Sequence, residues 1–190
     1  MKTDPLDAVA AAFAAHPRTG FLPAAVRDQA DHDGPLPIGH GQTNSQPRTV
    51  AAMLRLLEVA PGMRVLDVGA GSGWSTALLA HLVGDTGEVR GVELVPELVR
   101  FGAANLQATQ QPWASIVAAT PGVYGLPDQA PFDRILVSAE PAILPRTLVD
   151  QLKDGGVMVI PVAGEMLRVV RRGDQTEVTR HGGYRFVPLK

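Results

Sequence analysis

The chain has 190 residues, of which 45% are hydrophobic, as is typical of one compact domain with a sizeable core. Its 17 basic and 19 acidic side chains give a formal net charge of -2, so charge does not favour nucleic acid or an acidic membrane surface as a partner. Cysteine is absent, which excludes disulfides, thiolate nucleophiles and cysteine metal ligands and is compatible with a reducing cytosol.

The first part of the chain predicts a helix and then a long loop. An alanine-rich helix is expected from about Asp7 to Ala15, ending near His16-Pro17 because proline disfavours helix in the residue before it. The polar start and the short apolar stretch after it predict neither a signal peptide nor a membrane span, so a cytoplasmic protein is expected. Residues 31–41 are rich in glycine and proline and predict an irregular loop over the site.

Hydroxyl groups precede the next predicted helix. Thr43, Asn44 and Ser45 come before Gln46-Pro47, and proline suits the first helical turn of a helix whose apolar face runs from Thr49 to Leu57. A serine or threonine at such a position is most often an N-cap. The spacing alone therefore favours a capping role for Ser45 over a catalytic one.

A glycine-rich turn is the most informative stretch of the chain. Arg64 to Val68 predicts a buried parallel strand, and Trp74 to Val83 has the apolar spacing of a helix. Residues with little or no side chain between them would let a ligand contact the backbone beside a helix N-terminus. We therefore predict a site for a dinucleotide or for S-adenosylmethionine (SAM) at Gly69, Ala70, Gly71, Ser72 and Gly73.

Two acidic residues accompany this turn. Glu93 follows a second strand-like run, and its carboxylate can accept both ribose hydroxyls in NAD and SAM sites alike. Asp67 is either a cofactor ligand or a buried carboxylate that braces the turn. Little chain remains for the separate substrate domain that many dehydrogenases carry, which favours SAM as the cofactor.

The remaining sequence alternates strands with helices. Strands are expected at 115–119, 134–138 and 157–162, and helices at 96–107 and 145–152. This alternation predicts an α/β fold with a doubly wound, Rossmann-like sheet. Further antiparallel strands are expected at its edge, at 166–172, 177–181 and 184–189.

The predicted organisation is a single domain over residues 1–190. N-terminal helices and a substrate-covering loop occupy 1–60, and the Rossmann-like core occupies 61–190. The histidines are scattered, with no pair at the spacing of metal ligands, so no metal site is predicted.

Several segments together resemble the protein-L-isoaspartate O-methyltransferases. Residues 35–47, PLPIGHGQTNSQP, resemble the segment that precedes the SAM site in that family. Residues 65–74 are similar to its glycine loop and 91–98 to its acidic motif. Residues 130–138 and 151–162 are similar to its fourth and fifth strands. The resemblance covers nearly the whole chain from about Phe21.

The resemblance implies a class I SAM methyltransferase fold and methyl transfer from SAM to the α-carboxylate of L-isoaspartyl residues, and less efficiently to D-aspartyl side chains. S-adenosyl-L-homocysteine is the implied product, and the methyl ester closes to a succinimide that begins repair. Ser45 is the implied active-site serine, with Thr43 as a second hydrogen-bond donor. The implied cofactor contacts are the glycine turn, Asp67, Glu93 and Leu94.

The implied partners are isoaspartyl-containing peptides and proteins. We expect the chain to act on them as a monomer, without nucleic acid or membrane. The substrate carboxylate is already ionised at neutral pH, so the absence of an obvious catalytic base is no objection to this reaction.

Three features depart from the family pattern. The family usually has Gly-Asp-Gly after its third strand, whereas this chain has residues 118–122, AATPG, so adenine recognition is expected to be weakened or rerouted. Asn44 replaces an apolar residue and must find a polar partner or face solvent. Glu140 would oppose an incoming carboxylate if it pointed into the site.

These departures keep other functions open. One is a methyltransferase of the same family that acts on a different small-molecule or peptide nucleophile. Another is a non-catalytic SAM-binding protein, and a further one is NAD-dependent redox chemistry.

Overall fold

The structure is a computed structural model that describes residues 5–190, with side chains described from residue 8. The polar start of the chain, residues 1–4, lies outside the described residues. The helices are α1 (Pro5–Ala15), α2 (Pro47–Leu57), α3 (Trp74–Val83), α4 (Pro96–Gln107) and α5 (Arg146–Val149), with short 3-10 helices at Arg18–Phe21, Ala24–Gln29 and Pro127–Gln129. The strands are β1 (Leu36–Gly39), β2 (Gln42–Asn44), β3 (Arg64–Val68), β4 (Glu88–Glu93), β5 (Ala114–Ala118), β6 (Phe132–Val137), β7 (Leu152–Val162), β8 (Glu165–Arg172) and β9 (Gln175–Gly183).

Seven strands form one sheet in the order β5-β4-β3-β6-β7-β8-β9. All neighbours from β5 to β7 pair in parallel, whereas β8 and β9 are antiparallel additions. The predicted doubly wound α/β fold with antiparallel C-terminal strands is therefore confirmed. The chain leaves β3 toward β4 on one side and later returns to β6 on the other. This reversal opens a crevice at the carboxyl ends of β3, β4 and β6, where ligands bind in such sheets.

Both faces of the sheet are covered, as expected for a parallel sheet. The consecutive residues Val65 and Leu66 of β3 point to opposite faces and belong to two different hydrophobic clusters. Helices α1 and α2 bury Val9 and Met53 in the same cluster as Val65 and the α3 residue Leu78. The N-terminal segment therefore packs on the core of the sheet. Among the helices described, none has both the length and the apolar character needed to cross a bilayer.

Strand β3 and helices α3 and α4 have the predicted bounds, but three other expectations were wrong. The stretch 31–41 is not entirely irregular, because Leu36–Gly39 pairs with β2 in a short antiparallel hairpin. The helix expected at 145–152 has only the four residues of α5, since β7 begins at Leu152.

The third wrong expectation concerns the end of the chain. Residues 184–189 do not extend the sheet as an antiparallel strand; they form one isolated parallel bridge, between Glu140 and Pro188. This final segment, residues 184–190, is called the tail below. It crosses the carboxyl end of β6 because Glu140 exchanges backbone hydrogen bonds with Val187 and Leu189. Its position brings the tail to the crevice.

Candidate active site

A cavity of about 1150 Å³, including its open mouth, lies in the crevice at the carboxyl ends of β3, β4 and β6. Cofactor sites are commonly clefts of roughly 300–1,000 Å³ at this place in an α/β sheet. Its walls come from the glycine turn, the β1–β2 hairpin, the tail and the loops after β4, β5 and β6. A groove opens beside it, and the two share Thr43, Ser45, Ser138 and Val187.

The glycine turn forms the floor of the cavity. The amides of Gly69 and Ala70 both donate to the Val92 carbonyl, at 2.9 and 3.0 Å, which holds the turn against β4. Gly69 and Gly71 have φ of 81° and 53°, a conformation that favours glycine. Gly69, Ala70, Gly71 and Ser72 line the cavity.

Gly73 has a different role from the rest of the turn and does not line the cavity. It is the N-cap of α3, with φ of 87°. A Cβ atom at this position would lie 2.7 Å from the Gly102 carbonyl oxygen. Gly73 therefore allows α3 and α4 to approach closely.

Asp67 is fully buried and lies beneath the turn, outside the cavity lining. Its Oδ2 accepts hydrogen bonds from the hydroxyls of Ser75 and Thr76, each at 2.7 Å. Burial raises the pKa of Asp67 to about 6, and the nearby Glu93 carboxylate adds to this, while the two hydroxyl bonds oppose it. The geometry supports the bracing interpretation, because the contacts hold β3 to the first turn of α3.

Glu93 ends β4 and faces the cavity with only 7% of its surface exposed. Its Oε2 accepts from the Gly71 amide and its Oε1 from the Val95 amide, both at 2.9 Å. An ionised carboxylate has about four acceptor positions, so these bonds leave capacity for ribose hydroxyls. Leu94 follows as part of the same wall.

The hydroxyls of Thr43 and Ser45 do not cap α2, so the capping role that spacing favoured for Ser45 is wrong. The N-cap residue is Gln46, and the amide of Arg48 is bonded instead by Asp33 Oδ1, at 3.2 Å. In the part of the chain that the structure describes, neither hydroxyl makes a protein hydrogen bond. Both side chains line the cavity and the adjoining groove. They are available to donate to a ligand.

Glu140 lines neither the cavity nor the groove, so its carboxylate is not placed to contact an incoming carboxylate. Its Oε1 accepts from the Gly164 amide at 2.9 Å and its Oε2 from the Phe186 amide at 3.1 Å. The side chain therefore ties the tail to the β7–β8 turn. Val187, Pro188, Leu189 and Lys190 of the tail line the cavity.

The segment that lacks the expected acid forms another part of the wall. The Ala119 amide donates to the Glu93 carbonyl at 2.8 Å, and Ala119 lines the cavity. Tyr124, which sequence reasoning did not single out, also lines it and is half-buried. Its ring offers a surface for a flat base. His40 lies on the exposed rim with a φ of 54°.

Sequence reasoning also missed Arg18 and the site role of Ser138. Ser138 directly follows a buried parallel strand, and that position is itself a signal for a ligand-contacting residue. Arg18 is 5% exposed, and nothing in its local sequence distinguishes it from a surface arginine. The described residues contain no group of three or more histidine, aspartate or glutamate side chains arranged to hold a metal ion.

Comparison with known proteins gives one consistent result. A family model described as protein-L-isoaspartate(D-aspartate) O-methyltransferase matches residues 3–190. A protein-L-isoaspartate O-methyltransferase from Methanopyrus kandleri is 46% identical over 186 residues, which are 95% of this chain and 82% of that protein. Its namesake from Aeropyrum pernix is 47% identical over 183 residues, or 94% of this chain and 70% of that protein.

Two solved structures that resemble this chain belong to the same family as these relatives. One protein-L-isoaspartate O-methyltransferase has a TM-score of 0.88 at 26% identity, and the match covers 97% of this chain and 61% of that chain. A Plasmodium falciparum protein assigned as a beta-aspartate methyltransferase, crystallised with S-adenosyl-L-homocysteine, has a TM-score of 0.86 at 28% identity. That match covers 100% of this chain and 92% of the other.

Proposed function

This chain belongs to the protein-L-isoaspartate(D-aspartate) O-methyltransferase family, and on that premise we propose that it methylates the α-carboxylate of L-isoaspartyl residues in damaged proteins. D-aspartyl residues would be poorer substrates. The observation that carries the proposal in the structure is the pair of Thr43 and Ser45 hydroxyls, which face both the cavity and the outer groove. A carboxylate presented from the groove would meet these donors beside the cofactor turn.

The residues of the cavity fit SAM. Glu93 supplies carboxylate oxygens suited to the ribose hydroxyls, and Leu94 contributes an apolar wall next to them. Gly69, Ala70, Gly71 and Ser72 offer a turn with little or no side chain for the methionine portion. Ala119 and Tyr124 line the part of the cavity where the family's adenine-binding acid is replaced. Asp67 and Gly73 would act indirectly, by holding the turn in shape.

When bound, SAM supplies an electrophilic methyl group, and its sulfur keeps the electron pair of the broken carbon–sulfur bond. The new bond joins a substrate carboxylate oxygen to the methyl carbon. No proton moves, so the chain needs no general base. Ser45 and Thr43 can hold the carboxylate by hydrogen bonds, while the walls of the cavity replace water around it. Alignment of oxygen, carbon and sulfur is therefore the main task of the protein.

We further propose that the chain acts as one domain and as a monomer in the cytoplasm, with isoaspartyl proteins as partners. The shared core between the N-terminal helices and the sheet supports the single domain. The absence of cysteine is compatible with a reducing compartment. The net charge of -2 supports the exclusion of nucleic acid and acidic membranes as partners.

The decisive experiment measures base-labile methyl transfer from labelled SAM to a peptide that contains L-isoaspartate. The control is the same peptide with normal aspartate at that position. We expect labelling of the isoaspartyl peptide alone. Binding of SAM without labelling of either peptide would refute the proposal and direct the search to another nucleophile.

A further inference from the structure

Arg18 is a buried cation held by neutral oxygens. Its guanidinium donates to the carbonyls of His32, Gly34, Asn44 and Ser45 at 2.8 to 3.0 Å, and to Asn44 Oδ1 at 2.7 Å. Among the described residues it makes no ion pair with a carboxylate. A buried charge is costly unless its hydrogen bonds are satisfied, so these five contacts tie Arg18 firmly to the hairpin and to the residues that flank it. Its Cζ also lies 5.7 Å from the centre of the Trp74 ring, at the start of α3.

Asn44 links Arg18 to the glycine turn. Its side chain is 5% exposed, and its Nδ2 donates to Ser72 Oγ at 2.9 Å. A guanidinium has no acceptor, so Arg18 forces the amide oxygen of Asn44 toward itself and leaves the amide nitrogen for Ser72. Ser72 is held from its other side, where Asn105 Nδ2 donates to the Ser72 carbonyl at 2.9 Å.

The bridge lies between the two halves of the site. Thr43 and Ser45 flank Asn44 in the chain, and the alternation of β2 leaves Thr43 exposed where Asn44 is buried. Ser72 belongs to the glycine turn that lines the cavity. We propose that Asn44 is a positioning residue that, anchored by Arg18, sets the separation between the hydroxyls that receive the substrate and the turn that holds the cofactor. This rests on the proposed function.

The bridge also accounts for a departure from the family pattern, because the polar Asn44 finds two partners where an apolar residue is usual. An apolar side chain would leave Arg18 Nε without an acceptor and Ser72 Oγ without a donor. A purely structural bridge would affect stability alone. A positioning bridge also affects the rate of methyl transfer once both ligands are bound.

The first test is a double-mutant cycle of Asn44→Leu and Ser72→Ala, with kcat measured at saturating SAM and isoaspartyl peptide, well below the unfolding temperature. We expect each variant to lower kcat about 5- to 10-fold, since the bridge aligns the two ligands in the bound complex. The double variant should lie within about twofold of Asn44→Leu, because the bridge is then already broken. The proposal would be overturned if the fold-losses of kcat in the two single variants multiplied in the double variant. It would also be overturned if kcat stayed unchanged and only Tm fell.

The second test is independent of turnover. Amide hydrogen exchange of residues 42–45 is compared in the wild type and in Ser72→Ala. Loss of the bridge should speed exchange in this hairpin about tenfold, although position 72 is distant in sequence. The matched control is Ser115→Ala, which removes a 2.7 Å bond to Arg90 at the sheet edge and should leave the hairpin unchanged.

Unchanged exchange in Ser72→Ala would overturn the bridge even if the enzyme is active. Faster exchange in a chain whose wild type does not methylate the isoaspartyl peptide would instead refute the proposed function and retain the bridge as a conformational tie. The two failures are therefore distinguishable.

Discussion

Asp67 and Glu93 are neighbouring carboxylates with different tasks. Asp67 is fully buried and bonded to two hydroxyls of α3, whereas Glu93 is bonded to backbone amides at the cavity wall. Burial raises the pKa of Asp67 to about 6 from its ordinary 3.8, so the folded protein binds this proton more tightly than the unfolded chain does. The stability that Asp67 contributes is therefore complete below pH 3.8 and is lost as the pH rises to about 6.

Asp67→Asn tests this effect of pH. At about 1.4 kcal/mol per unit of pKa shift, the shift from 3.8 to about 6 costs the ionised wild type about 3 kcal/mol in full. About 2.5 kcal/mol of this cost, which asparagine avoids, arises between pH 4 and 7. The free energy of unfolding of the wild type, relative to that of the variant, should therefore fall by about that amount across this range. Urea denaturation at several pH values measures it. If the difference in free energy of unfolding between wild type and variant did not depend on pH, the Asp67 carboxylate would have the same pKa in the folded and unfolded states.

Ser45→Ala tests the proposed hydrogen bond to the substrate carboxylate. A bond to a charged group contributes about 1.5–3 kcal/mol, so kcat/KM for the isoaspartyl peptide should fall about 10- to 100-fold. The Kd for S-adenosyl-L-homocysteine, measured by calorimetry, should change less than about twofold because the hydroxyl serves the other ligand. Equal activity in the variant would remove Ser45 from the mechanism.

Two elements outside the seven-stranded sheet complete the site. The β1–β2 hairpin brings the hydroxyls, and the tail supplies one wall of the cavity. Side chains help to hold each element in place. Arg18 bonds to the hairpin, and the Glu140 carboxylate bonds to the tail beside the backbone hydrogen bonds that Glu140 makes with Val187 and Leu189. Such elements open at lower free energy than the central sheet and are sensitive to single substitutions.

Glu140→Ala should loosen the tail, although the backbone hydrogen bonds of residue 140 to Val187 and Leu189 remain. Loss of its bonds to two backbone amides is expected to lower the free energy of unfolding by about 1–3 kcal/mol and to raise KM for the peptide. The measurements are urea denaturation and steady-state kinetics. The matched control is Glu165→Ala, whose carboxylate makes an exposed ion pair with Arg180 and should contribute little. Faster turnover of anionic substrates by Glu140→Ala would contradict the observed orientation.

The whole molecule assembles its site from segments far apart in sequence. The cavity is lined by residues from Ile38 to Lys190, and the two larger hydrophobic clusters lie against the sheet that carries it. A ligand that fills the cavity therefore contacts the hairpin, the sheet loops and the tail together. Its binding should stabilise the folded chain as a unit.

Thermal unfolding with and without ligand tests this coupling. At a concentration of about 100 times its Kd, S-adenosyl-L-homocysteine should add about 2.7 kcal/mol and raise Tm by about 5–10 °C for a chain of this size. NAD at the same concentration is the control and should leave Tm unchanged. Equal protection by NAD would contradict the choice of SAM as the cofactor.

The sequence alone determined the sheet, the glycine turn and the acid at the end of β4. Strand β3 and helices α3 and α4 matched their predicted bounds because apolar runs and the turn residues that end them are properties of consecutive residues. The fold class followed from the same local patterns.

The tertiary structure decided what each polar side chain does. Asp33 rather than Ser45 bonds the start of α2, Glu140 binds the tail, and Arg18 is buried against the hairpin. These choices depend on partners up to 46 positions apart in sequence. A local pattern cannot show which distant donor will reach a given acceptor, because packing of the whole chain brings the two together.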